Sequence, residues 1–276
     1  MRTGRYTSRT ALTELAMLVV ALVVVFPVYV LVSISLKSPA EVTDSPLAPP
    51  SSFETENYAN AWERASLGQA LINSTAITTI SIVLLVVLGS MAAWGLVRGT
   101  RRLNGLLLMG FLLGIMIPLQ LGMVPLYTLM RDIGLLQTYT SLIVFHTGTL
   151  LPVTIFLYSG FLRAQTATYE EAARVDGASS LQTFWRIVFP LLRPITGAVV
   201  IINAIHVWND FLTPLLYVGG SRFQTLPVAI FAFRGEFATA WGLIFAGLVV
   251  AILPILVVYF LLQKHIIKGF ASGVKG

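Results

Sequence analysis

The sequence has no cysteine, and its 276 residues include only four lysines and three histidines. Without cysteine the chain can form neither disulfide bonds nor thiolate metal sites. None of the lysines ends the Gly-x-x-x-x-Gly-Lys pattern that would hold phosphate groups, and the histidines lack the close spacing of metal ligands. We therefore expect a chain that is not an enzyme and that binds no metal or other cofactor itself.

Charge is also scarce. Charged residues make up 11% of the chain and hydrophobic residues 56%, a composition outside the range of soluble globular domains. The net charge of +6 is spread over short segments rather than gathered in one patch, so nucleic acid is not an expected partner. The composition predicts an all-α membrane protein that forms a single lipid-embedded domain over residues 1–276.

Long apolar blocks recur along the chain, and about 20 such residues suffice to cross a bilayer as a helix. Thirteen of the eighteen Lys and Arg residues lie in the segments that share a side with the N-terminus. The positive-inside rule then places both termini and segment 163–194 in the cytosol, as expected for a multi-pass protein of the cytoplasmic membrane. The six predicted transmembrane helices are residues 12–36, 70–97, 104–130, 139–162, 195–218 and 240–263.

Segment 163–194 is polar between two hydrophobic blocks. Thr168 and Glu171 have the spacing of a capping box, which predicts a helix that begins there. Gly177 can adopt the left-handed conformation that ends a helix. A second amphipathic helix is predicted over 180–192. Its predicted apolar face consists of Leu181, Phe184, Trp185, Val188 and Leu192.

These residues resemble the EAA loop of binding-protein-dependent ABC importer permeases. That pattern is Glu-Ala-Ala, three residues, Gly, nine residues, Ile, one residue and Leu-Pro; here Phe189 replaces the Leu. The matching positions are Glu171, Ala172, Ala173, Gly177, Ile187 and Pro190. The resemblance implies helices that couple to an ATP-binding subunit, and Glu170 and Asp176 are expected to belong to the same docking surface.

Two further segments narrow the resemblance. Residues 208–212, Trp-Asn-Asp-Phe-Leu, resemble a signature of carbohydrate-type importer permeases, and 273–276 resemble the tail of a maltose-type permease subunit. With Gly273 and Lys275, that tail would contact the ATP-binding subunits. The resemblance implies a sugar importer with two ATP-binding subunits that bind ATP and Mg²⁺, a second and different permease subunit, and an extracytoplasmic solute-binding protein.

Polar side chains inside predicted transmembrane helices are costly and are often functional. Asn203, His206 and Asp210 share one helix face at spacings i, i+3 and i+7, and Asn209 lies beside them. They could line a pathway for a hydroxyl-rich solute, or they could hold neighbouring helices together. Both interpretations remain open from the sequence.

Two other polar residues are candidates for the pathway. Gln120 lies between Pro118 and Pro125, where a proline kink is an equal alternative, and Asn73 could instead cap a helix. The proline-rich outer loop 37–69 is predicted to be extended, with a short helix near its end.

The alternative functions are an importer permease for another solute class and an ion-coupled secondary transporter. The second would need carboxylates or unwound ion sites inside the membrane. Glu14 and Asp210 are the only acids near the predicted transmembrane helices, and each lies toward one end.

Overall fold

The computed structural model describes residues 8–231, 233 and 240–273. Within these residues every regular element is a helix, which confirms the all-α prediction. In chain order they are α1 (Ser8–Ser35), α2 (Pro39–Asp44), α3 (Glu56–Arg64), α4 (Leu67–Arg98), α5 (Arg102–Met116), α6 (Leu119–Asp132), α7 (Tyr139–Arg163), α8 (Thr168–Val175), α9 (Ser180–Thr183), a π-helix (Phe184–Val188), α10 (Phe189–Leu191), α11 (Arg193–Asn209), α12 (Leu212–Val218), α13 (Leu226–Phe231) and α14 (Trp241–Gly273).

Three of the described helices are long and apolar enough to cross a membrane alone: Thr10–Ser35 within α1, α4 and α7. They correspond to the predicted transmembrane helices at 12–36, 70–97 and 139–162. Up to five crossings result if each of two bent helix pairs counts as one. The chain is therefore a multi-pass membrane protein, and the full six-helix layout stays a prediction.

The predicted transmembrane helix at 104–130 is not a single helix. It is α5 followed by α6, bent by 100°. Proline disfavours the helical conformation of the residue before it, and Ile117 is accordingly extended, with φ −78° and ψ 119°. Pro118 therefore ends α5 and begins a new helix in a different direction.

The predicted transmembrane helix at 195–218 is interrupted as well. Within this range α11 stops at Asn209. A separate bend of 77° lies before residue 195, between the segment Ser180–Leu191 and α11. Asp210 is extended, with φ −65° and ψ 124°, and its Oδ1 accepts a hydrogen bond from the backbone N–H of Thr213 at 3.3 Å. A side chain that bonds the next helix thus marks the interruption.

Contacts divide the described residues into two compact units. The first runs up to Gly68 and includes Ala229–Leu253, and the second holds Gln69–Val228 and the residues from Pro254 on. The transmembrane part of α1 belongs to the first unit, and none of its most apolar stretch is buried. That helix therefore presents an unbroken apolar surface to lipid or to another protein.

In the first unit, the loop after α1 is ordered around Lys37. This lysine is fully buried, and its Nζ donates to the carbonyl oxygens of Ser45 at 2.7 Å, Pro46 at 3.1 Å and Ala48 at 2.6 Å. The extended conformation predicted for this loop is wrong in part, because Ser38 caps α2 by accepting from the Glu41 N–H. The short helix predicted near the loop's end is present as α3.

In the second unit, α7 passes through two hydrophobic clusters. Near one end, Phe145 packs with residues such as Tyr217 in one cluster; near the other, Tyr158 packs with residues such as Phe184 in the second. The second cluster includes the polar segment 163–194, so this segment is held against the membrane helices.

Candidate functional site

The polar loop, residues 163–194, begins with α8, but its N-terminus differs from the prediction. The capping residue is Ala167, whose carbonyl accepts from the N–H groups of Glu170 and Glu171 at 2.9 Å each. Ala167 is already turned, with φ −81° and ψ 0°, so Thr168 is the first helical residue. The predicted capping box between Thr168 and Glu171 is therefore wrong.

The end of α8 agrees with the prediction. Gly177 has φ +79°, the left-handed conformation in which a side chain is strained. The N–H of Ala178 donates to the Ala173 carbonyl at 2.9 Å and that of Gly177 to the Arg174 carbonyl at 3.1 Å. These two bonds form a Schellman motif, which turns the chain sharply toward the second half of the loop.

The second half of the loop is three short helical pieces rather than one helix. A capping box joins Ser179 and Gln182, each side chain bonding the other residue's N–H. The π-helix then widens the turns before Pro190. The predicted apolar face is correspondingly divided: Phe184, Val188 and Leu192 are fully buried, whereas Leu181 and Trp185 are 58% and 40% exposed.

The two sides of α8 face different surroundings. Glu170 and Ala173 are buried within this chain. Tyr169 is 64% exposed and Val175 is 88% exposed, and Ala172 is exposed on the same outer side. The other docking candidates are distributed in the same way: Glu171, Asp176 and Gly177 are exposed, and Ile187 and Pro190 are half-buried.

The carboxylate of Glu170 points away from the outer side of α8. It accepts from Trp94 Nε1 at 2.8 Å and from Arg98 Nε at 3.0 Å, both on α4. The Arg98 guanidinium also donates to the Gln165 carbonyl at 3.1 Å. The sequence pattern had grouped Glu170 with the docking surface, whereas the structure bonds its side chain to α4.

A cavity of about 650 Å³ lies where α5 breaks into α6, against α7 and α11. Asn203 and His206 both line it. Asn203 is buried, and its Nδ2 donates to Thr154 Oγ1 at 3.2 Å and to the Val199 carbonyl at 2.9 Å. His206 is exposed toward the cavity side of α11. The cavity also includes Pro118, Gly122, Gly148, Thr149 and Pro152.

The other polar candidates lie elsewhere. Asp210 leaves the predicted face with Asn203 and His206 because α11 has ended before it. Asn209 is exposed, and its Nδ2 donates to the carbonyl of its own helix at Ile205. The predicted three-residue face is therefore two residues, Asn203 and His206.

Asn73 is not at the start of a helix, since α4 begins six residues earlier. It is buried, and its Oδ1 accepts from Tyr139 Oη at 2.6 Å. Gln120 is exposed in the first turn of α6 and is not among the residues that line the cavity. Gly273 ends α14, and Lys275 lies outside the described residues.

Sequence reasoning missed two residues that contact candidate site residues. His146, set aside because the histidines are scattered, is buried with Nε2 3.8 Å from Asp210 Oδ2. Trp94 gave no signal within its apolar block, yet it contacts both Glu170 and the Phe184 ring. Both interactions join residues that are far apart in sequence, so only the fold reveals them.

Comparison with known proteins identifies the family. Residues 85–272 match the family described as binding-protein-dependent transport system inner membrane component. The chain is 40% identical, over the full length of both proteins, to the melibiose/raffinose/stachyose import permease protein MelC of Bacillus subtilis. It is 36% identical to the trehalose transport system permease protein SugB of Mycobacterium tuberculosis, over 91% of this chain and 92% of that protein.

A solved structure has the same fold. It belongs to a bacterial ABC transporter involved in the import of the acidic polysaccharide alginate, and it matches with a TM-score of 0.78 at 23% identity, over 95% of this chain and 99% of that one. The chain belongs to the binding-protein-dependent transport system inner membrane components, the membrane-spanning permease subunits of ATP-driven importers.

Proposed function

We propose that this permease subunit carries a sugar, an oligosaccharide or a related carbohydrate, through the cavity beside Asn203 and His206. The cavity carries this proposal: it is about 650 Å³ and is lined mainly by apolar groups, with an amide and an imidazole among them. Apolar walls with a few hydrogen-bonding groups suit a neutral, hydroxyl-rich solute. Relatives named for melibiose, raffinose and trehalose transport support the same solute class.

The lining of the cavity disfavours the two alternatives. In the described part of the chain, neither Asp nor Glu contributes to it. An ion-coupled transporter that uses carboxylates would need them near the bilayer centre, and an amino-acid importer would have to neutralise the charges of its solute. An uncharged solute requires neither.

The outer side of α8 is the proposed docking surface for an ATP-binding subunit. Ala172 offers little bulk there, and Tyr169 and Val175 present exposed apolar surface. Docking of a partner would remove this surface from water. The ATP-binding subunits, two in the proposed complex, would supply ATP and Mg²⁺ binding and the hydrolysis, with the tail at Gly273 and Lys275 between them.

The remaining partners follow from the family. A binding-protein-dependent importer requires a solute-binding protein outside the membrane and a second permease subunit. We infer that the second subunit differs from this chain and that both termini of this chain are cytosolic. ATP-driven closure of the ATPases would move the polar loops, and the helices would open the pathway to the outer side for the sugar.

Docking can be tested because the chain is cysteine-free. A single Val175→Cys label site should react with a maleimide in the isolated chain and be protected when the ATP-binding subunit is present. Ala172→Trp should abolish co-purification of that subunit, whereas Leu106→Trp, at an exposed residue of α5, should leave it intact. Unchanged labelling at Val175→Cys in a complex that contains the ATPase would contradict docking at α8.

The solute class needs a separate test. A host strain that lacks the chromosomal copy of this chain would carry either the unmodified gene or His206→Ala, and uptake of radiolabelled raffinose, trehalose and maltose would be measured. We expect uptake of at least one sugar, reduced in the variant at equal protein level. Uptake of amino acids or peptides in place of all sugars would overturn the carbohydrate assignment.

A further inference from the structure

The polar loop is bonded to one membrane helix at three points. Glu170 accepts from Trp94 and Arg98, Arg98 donates to the Gln165 carbonyl, and the Trp94 ring lies 5.6 Å from that of Phe184, centroid to centroid. These contacts reach the start of the loop, α8 and the π-helix. Two side chains one turn apart on α4 therefore hold both halves of the loop.

The ionic part of this connection is shielded from water. The side chain of Glu170 is 6% exposed and that of Arg98 is 17% exposed. A buried carboxylate is stable only if its charge is paired and its oxygens accept hydrogen bonds, and charge-assisted bonds are short and directional. Each Glu170 oxygen has a donor. The connection is therefore suited to transmit a displacement, not only to fill space.

The opposite end of α4 is also bonded to a distant segment. Asn73 Nδ2 donates to the carbonyls of Arg222 at 2.9 Å and Gln224 at 2.8 Å. Ser74 Oγ accepts from the Leu226 N–H at 2.8 Å. The segment 222–226, which connects α12 to α13, is thus fixed to α4 through its backbone.

Between these two ends α4 is a continuous helix without proline. From Asn73 to Arg98 it measures about 37 Å at 1.5 Å per residue. Its backbone hydrogen bonds lie within the helix, which keeps it stiff along its axis. A displacement of the polar loop at one end would move segment 222–226 at the other.

We propose that Glu170, Trp94 and Arg98 are positioning residues that fix the polar loop to α4, and that α4 transmits ATP-driven movement of this loop to segment 222–226. This inference rests on the proposed docking of an ATP-binding subunit at α8. It assigns the transmission to one helix with two defined ends, and it gives Glu170 a role distinct from that of the exposed Glu171.

The test uses the purified complex with its ATP-binding and second permease subunits, whose own cysteines are replaced. Nitroxide spin labels are placed singly on Leu181→Cys, at an exposed residue of the polar loop outside the proposed docking surface, and on Arg222→Cys, whose carbonyl keeps its bond to Asn73. Spectra are compared without nucleotide and with ATP and vanadate. We expect both labels to respond in the otherwise unmodified complex. With Glu170→Gln, the response at 181 should remain and the response at 222 should be reduced.

Two further variants make the result decisive. Trp94→Phe keeps an aromatic ring against Phe184 but removes the N–H donor, and it should weaken the response at 222. This variant provides the test if Glu170→Gln does not assemble. Asp132→Asn, which removes an exposed ion pair with Arg131, should change neither response. Equal responses at 222 with and without Glu170→Gln and Trp94→Phe would overturn the role of these residues.

The remaining outcomes separate this inference from the proposed docking. A response at 181 without one at 222 in the unmodified complex would overturn transmission along α4 and leave docking intact. If the ATP-binding subunit does not co-purify, or if ATP does not affect the label at 181, the proposed docking fails and this inference fails with it.

Discussion

His146 Nε2 lies 3.8 Å from Asp210 Oδ2, and His146 is buried in α7. The other oxygen of the same carboxylate accepts from the Thr213 N–H at the start of α12. The Asp210 carboxylate thus contacts both α7 and α12 at the interruption between α11 and α12. The interruption ends α11 at Asn209, just beyond His206, which lines the cavity.

Substitution of Asp210 should loosen this interruption. Asp210→Ala removes the acceptor for Thr213, which we expect to lower the free energy of unfolding by about 1–3 kcal/mol. Asp210→Asn retains an acceptor oxygen and should cost less. Thermal unfolding of the purified chain in detergent would show the order. Asn209→Ala is the matched control, since the Asn209 amide bonds within α11; equal losses from both alanine variants would contradict the proposed role.

Lys37 should be essential to the order of the loop after α1. Lys37→Met keeps the aliphatic stem but leaves the carbonyls of Ser45, Pro46 and Ala48 without their donor, at a cost on the order of 3 kcal/mol. Limited proteolysis should then cleave at 45–50 much faster than in the unmodified protein. Arg131→Met, at an exposed residue, should not change the cleavage. An unchanged rate in Lys37→Met would show that the loop is ordered by other contacts.

The long helices α4 and α7 could be predicted because continuous apolar sequence is a strong signal for a transmembrane helix. A proline kink near Pro118 was one alternative from the sequence, but the complete break there and the interruption at Asp210 were not predicted. Prolines are tolerated within membrane helices when neighbouring groups satisfy the backbone, and Pro152 lies inside an unbroken α7. Whether a proline bends or ends a helix depends on packing that the sequence does not display.

The sequence also did not show which side of α8 is buried and which is exposed. Glu170 and Glu171 are adjacent and chemically identical, and the burial of Glu170 depends on Trp94 and Arg98, more than seventy residues away. The buried state of Lys37 was invisible because its partners are backbone carbonyls, which leave no side-chain pattern. In contrast, Gly177 was predicted correctly because its left-handed conformation is a local requirement.

The outer loop should depend on pH through Glu41. The Ser51 backbone N–H, which donates to the Glu41 carboxylate, lowers the pKa of Glu41 below its ordinary value of 4.5. A carboxylate with a lowered pKa stabilises the folded form above its unfolded pKa, and this contribution is lost as the pH falls through the folded value. The protection of amides around Ser51, measured as the hydrogen-exchange rate relative to the intrinsic rate at each pH, should therefore fall below pH 4.5.

Glu41→Gln provides the comparison for that measurement, because the amide oxygen can still accept from Ser51 but carries no charge. The variant should be less protected than the unmodified chain near neutral pH, and its protection should change little on acidification. If both proteins lose protection equally below pH 4.5, the ionised Glu41 does not stabilise this loop.

The turn at Gly177 allows strain to be separated from steric overlap. A Cβ at Gly177 would meet no atom within 4 Å, and the same holds at Gly160 in α7. The two positions differ in backbone conformation, since only Gly177 has a positive φ, +79°. Gly177→Ala should lower the free energy of unfolding by about 1 kcal/mol through backbone strain, whereas Gly160→Ala should be neutral or stabilising because alanine favours helix.

In the assembled complex, Gly177→Ala should also weaken retention of the ATP-binding subunit, measured by co-purification under increasing salt. Equal retention and equal stability in the two variants would show that the angle between α8 and α9 is not set by this glycine.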